Sequence, residues 1–77
     1  MLKLFKIQTG WKVVQGTITQ NFATIERAAD AMLDTGILDE DIDAAVIALY
    51  ANEDLAQENF PLFALFDRDG RFVDLRY

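Results

Sequence analysis

Pro61-Leu62-Phe63-Ala64-Leu65-Phe66-Asp67-Arg68-Asp69-Gly70-Arg71-Phe72-Val73-Asp74-Leu75-Arg76-Tyr77 is the stretch whose reading decides the fold. Two apolar runs flank Asp67-Arg68-Asp69-Gly70. That tetrapeptide suits a type I turn with Gly70 left-handed, and so a three-residue hairpin loop. The resulting register pairs Leu65 with Val73 and Phe63 with Leu75. A two-residue Asp69-Gly70 loop would instead align Leu62, Ala64 and Phe66 with the outgoing strand. In either case Val73, Leu75 and Tyr77 share one side, which is expected to be the core. In the favoured register the opposite side carries Leu62, Ala64, Phe66 and Phe72 beside Asp74 and Arg76.

A second hairpin is predicted at the other end of the chain. Leu2 to Gln8 has strand composition, Thr9-Gly10 is a turn signal, and Trp11 to Gln15 resumes as a strand. Gly16 marks a bend, and Thr17-Ile18-Thr19 is a third short strand or an extension of the second. Between the hairpins the apolar period becomes helical. Thr24 is a candidate N-cap for a helix over 25–35, with Ile25, Ala28, Ala29, Met32 and Leu33 on one side and Gly36 just past its end. Phe22 is placed to pack back on the first turn. Asp39 is the candidate N-cap of a second helix running to about Ala51, striped by Ile42, Ala45, Val46, Leu49 and Tyr50. The segment 52–59 is polar and acidic, with a further helical turn expected around Leu55, and Pro61 makes Phe60 extended.

The predicted fold is therefore α+β. One small domain, spanning 1–77, builds an antiparallel sheet from two hairpins in the order β-β-(β)-α-α-β-β, with two helices packed on one face. The strand order is not legible in the sequence. Two helices on one face would leave the other face open. An open aromatic face around Leu62, Phe66 and Phe72 is expected to meet a partner or a second copy, as in a homodimer, unless a loop such as 52–60 folds over it.

Composition narrows the function. The 77 residues contain neither Cys nor His nor Ser, which removes disulfides, zinc clusters and the common nucleophile–base pairs. Asp39, Asp41 and Asp43 match the first three ligand positions of a calcium loop. That pattern then requires Gly and Glu where Ala44 and Tyr50 stand, so helix-capping acids are the better reading. There is no glycine-rich phosphate loop, and the acids lie on helix starts and polar faces of a domain too small for a deep cleft. No enzyme activity, cofactor or metal is expected. The N-terminal apolar run is broken by Lys6 and Gln8 and has no small-residue cleavage site. It reads as a strand and not as a signal peptide, and no apolar run reaches the ~18 residues of a membrane helix. A soluble, cytoplasmic protein is expected.

The charge is unevenly placed. Residues 1–27 carry four cations and one acid, residues 28–59 carry nine acids and no cation, and residues 60–77 carry three of each, giving a net charge of −6. Asp30 and Asp34 lie one helical turn apart, and Asp39 and Asp43 repeat that spacing. Like charges so placed destabilise a helix by a few tenths of a kcal/mol. The acids either keep an apolar-rich domain soluble or steer it towards a basic partner. The first expectation for function is thus a protein-interaction module, an inhibitor or adaptor in the style of small phage- or mobile-element-encoded proteins. It would present Asp30, Asp34, Glu40, Asp41 and Asp43 to a basic, nucleic-acid-binding protein. The alternative is direct nucleic-acid binding by Lys3, Lys6, Trp11 and Lys12 of the first hairpin, which pairs cations with a stacking ring but works against the net negative charge.

Overall fold

The computed structural model describes residues 1–52 and 62–77. Within them the chain forms β1 (Leu2–Ile7), β2 (Gly10–Gln15), β3 (Ile18–Phe22), α1 (Ile25–Asp34), α2 (Asp39–Ala51), β4 (Phe63–Phe66) and β5 (Phe72–Arg76). The five strands make one antiparallel sheet in the order β3-β2-β1-β4-β5. This is the α+β arrangement expected, with β3 a full strand. The first strand lies at the centre of the sheet, paired to β2 on one side and β4 on the other. The predicted turn around Leu55 and the extended Phe60-Pro61 lie outside the described residues.

Both helices cover the same face. Leu2 and Leu4 of β1, Trp11 and Val13 of β2, and Ala64 and Phe66 of β4 are buried against Ala28 and Met32 of α1 and Ile42, Ala45 and Leu49 of α2. Period-two burial on the strands and the helical stripe on α1 and α2 put these residues on facing sides.

Local chemistry sets the helix limits. The Thr24 Oγ1 accepts from the backbone N–H of Arg27 at 3.3 Å, as an N-cap should. At the other end Gly36 has φ +96°, its N–H donates to the Leu33 carbonyl, and the Ile37 N–H donates to the Met32 carbonyl. This is a Schellman cap, and the buried side chains of Ile37 and Met32 supply its apolar contact. The second helix starts one residue earlier than expected. Leu38 is its N-cap, held by its N–H donating to the Gly70 carbonyl, so Asp39 is already helical.

The last hairpin corrects the sequence reading. Its turn is as expected: the Gly70 N–H donates to the Asp67 carbonyl at 3.2 Å, the Asp67 N–H donates to the Arg71 carbonyl at 3.0 Å, and Gly70 has φ +80°. Phe66 accordingly opposes Phe72. A bulge then intervenes, so that Leu65 opposes Asp74, Ala64 opposes Leu75 and Phe63 opposes Arg76. Val73 is the extra residue. One inserted residue reverses the alternation that follows it. Val73, expected in the core, is consequently exposed, and Tyr77, also expected there, is exposed beyond the end of β5, while Leu62, Ala64 and Phe66 are buried and Phe72 and Leu75 pack on the core. The face around Leu62, Phe66 and Phe72 is therefore the interior of the domain and offers nothing to a partner or a second copy.

Gly70 has a further role. It is buried, and a Cβ there would collide with the carbonyl oxygen of Gly36. The hairpin turn thus seats directly on the α1–α2 connection.

Candidate interaction surfaces

The five acids singled out in the sequence do not share one role. Asp30 and Asp34 are exposed on α1, and Glu40 and Asp43 are exposed on α2. None of these four makes an ion pair among the described residues. Asp41 is different. It is only 8% exposed, its Oδ1 accepts from the Phe72 N–H at 3.0 Å, and its Oδ2 lies 3.1 Å from Arg71 Nε. That oxygen has the contact of an ion pair without the alignment of a hydrogen bond. Asp41 joins the first turn of α2 to the start of β5 and leaves the acidic surface. The spacing alone could not separate it from its neighbours, because its partner lies 31 residues away in sequence.

Outward on α2, Glu40, Asp43 and Ile47 follow one another at helical spacing, and Ile47 is 69% exposed. Leu33 and Leu38 are exposed in the same layer. The helix layer thus mixes unpaired carboxylates with isolated apolar side chains.

The nucleic-acid set divides between the two faces of the sheet. Trp11 is 4% exposed and packs edge-on to Tyr50, with ring centroids 5.8 Å apart. It is a core residue and cannot stack on a base. Lys6 lies on the same side, its Nζ 5.5 Å from the Tyr50 centroid. Lys3 and Lys12 lie on the other face, which no described element covers.

On that open face the register aligns two rows across the sheet. One runs Asn21, Lys12, Phe5, Phe63, Arg76, and the other runs Thr19, Val14, Lys3, Leu65, Asp74. Phe5 and Phe63 are cross-strand neighbours on β1 and β4, with centroids 5.1 Å apart and rings inclined at 45°. The Lys12 Nζ sits 4.3 Å from the Phe5 centroid and the Lys3 Nζ 5.0 Å from that of Phe63, which is cation–π range. Arg76 Nε lies 3.7 Å from Oδ2 of Asp74, the one acid on this face among the described residues.

Phe5 and Phe63 are the residues that sequence reasoning missed. The signal was present for Phe5, which shares its side of β1 with Lys3 by simple alternation. Lys6 on the opposite side of the same strand concealed it, since each side then carried one lysine. Phe63 falls on the core side in a hairpin register without a bulge; with the bulge at Val73 it opposes Arg76 on the open face.

Among the described residues no group of three or more acids is placed to hold a metal ion, and no helix is long and apolar enough to cross a membrane. No family model matches the chain, and neither the curated proteins nor the solved structures contain a match to it.

Proposed function

We propose that this chain is a protein-interaction module, of the inhibitor or adaptor kind, whose acidic helix layer docks on a basic surface of a nucleic-acid-binding protein. The observation that carries this reading is the placement of Asp30 and Asp34. Both are exposed, neither has a cationic partner among the described residues, and they repel each other one turn apart. Asp34 also ends α1, where the helix dipole favours cations, and the last turn contains no basic residue. These acids therefore work against the helix that bears them. An acid that costs folding stability is accounted for by steering and docking to a positive surface. Ile47, projecting beside Glu40 and Asp43, supplies an apolar anchor within the charged rim.

The test is affinity capture by the tagged chain in the cells that make it. The wild type is expected to recover a basic protein, in amounts that fall as salt rises. Asp30→Lys/Asp34→Lys is expected to lose at least tenfold of that recovery, and Ile47→Ala several-fold, with circular dichroism unchanged in both. Recovery unaffected by the charge reversal would refute the proposal.

A further inference from the structure

The open sheet face carries a second and independent binding surface. We infer that it binds single-stranded nucleic acid, with Phe5 and Phe63 stacking on bases and Lys3, Lys12 and Arg76 contacting phosphates. This inference does not rest on the helix-layer proposal, because the residues lie on the opposite side of the sheet.

Three observations select this occupant. First, the two rings sit side by side on β1 and β4, in the middle of the sheet, and no described element covers them. Aromatic rings on an open sheet face accept any base, since every base has a π face. Second, the cations surround the rings. Each lysine ammonium already lies over a ring, and its flexible stem lets it move a few ångströms to a phosphate while its ring takes a base. Among the described residues the face holds Lys3, Lys12 and Arg76 against Asp74, whereas the exposed acids Asp30, Asp34, Glu40 and Asp43 all belong to the helix layer on the far side. The net charge of −6 is thus a poor guide to this face.

Third, the alternatives fit less well. The backbone donors and acceptors of β1, β2 and β4 are committed to their ladders, so a peptide lying across the face would find few backbone partners. A second copy docked face to face would bring Lys3, Lys12 and Arg76 against the same three cations, with Asp74 the one described acid on each face to relieve them.

The experiment uses the intact chain and a labelled ten-nucleotide oligothymidylate, read by fluorescence anisotropy. Wild type is expected to bind at low salt, with log affinity falling against log salt at a slope of about −2, as about three phosphate contacts on a single strand require. Lys3→Glu/Lys12→Glu should weaken binding at least tenfold. Lys6→Glu makes the same kind of charge change on the helix-covered side and should weaken it far less. Phe63→Leu keeps the apolar packing but removes the ring, and should cost about tenfold by loss of one stacked base.

Several results would overturn the assignment. They are no binding at low salt, Lys6→Glu as damaging as Lys12→Glu, or Phe63→Leu as tight as wild type. So would equal affinity for an oligoglutamate peptide, which would give the face to an acidic peptide. So would a dimer in light scattering that Phe63→Leu dissolves, which would give it to a second copy. Loss of binding here leaves partner capture by the helix layer untouched, so the two proposals fail separately.

Discussion

The two faces of this sheet are built from the same strands and have opposite characters. On the covered face Leu2, Leu4, Trp11, Val13, Ala64 and Phe66 are buried beneath two helices whose outer surface is acidic. On the open face Phe5 and Phe63 lie half-buried beneath lysine ammoniums. The comparison teaches that an aromatic residue in a small domain is a core residue or a surface platform according to one residue of register. It also teaches that net charge conceals a domain with one negative layer and one positive face.

Substitutions that pit one face against the other test this contrast. The largest effect is expected at Phe66, which is fully buried. Phe66→Ala should cost about 3–5 kcal/mol in urea unfolding, while Phe63→Ala on the open face should cost roughly 1 kcal/mol. Comparable losses at both positions would mean that the open face is also core. Next comes Gly70→Ala, which meets both a positive φ and the Gly36 carbonyl and should cost about 2–3 kcal/mol in the same assay. Asp41→Ala follows, at about 1.5–2 kcal/mol, because it removes a charged acceptor from the Phe72 N–H while leaving Arg71 solvated. The smallest effect has the opposite sign. Asp34→Lys should stabilise by about 0.5 kcal/mol, raising Tm by a few degrees, because it relieves repulsion by Asp30 and reverses an unfavourable dipole contact. A destabilised Asp34→Lys would mean that this carboxylate serves the fold.

Much of the fold was legible because its signals are local. Thr24, the helical spacing of Ala28 and Met32, Gly36, and the Asp67–Gly70 turn each specify their own conformation through neighbours a few residues away. The strand order was not legible, since it depends on β1 accepting β4 across two intervening helices. The bulge at Val73 has no glycine to announce it; it brings Leu75 to the side of Phe66 and Phe72, and the β1–β4 register, with Leu2 opposite Phe66 and Leu4 opposite Ala64, makes that side the core and leaves Phe63 outward. The acidic block was visible as a block, but the separation of Asp41 from Asp30, Asp34, Glu40 and Asp43 required the position of Arg71 in three dimensions. Trp11 misled for a related reason: it opposes Lys6 across the β1–β2 pair, on the side that the helices cover, and the strand sequences do not declare which side is wet.

Amide mapping by ¹⁵N–¹H correlation spectra would test the two-faced character most directly, with one labelled sample titrated separately with a decalysine peptide and with the ten-nucleotide oligothymidylate. The expected result is two footprints that do not overlap. Decalysine should shift amides around Asp30, Asp34, Glu40 and Asp43, and the oligonucleotide should shift those around Lys3, Phe5, Lys12, Phe63 and Arg76. A common footprint for both ligands, or an oligonucleotide that shifts no amide of β1, β2 or β4, would contradict it.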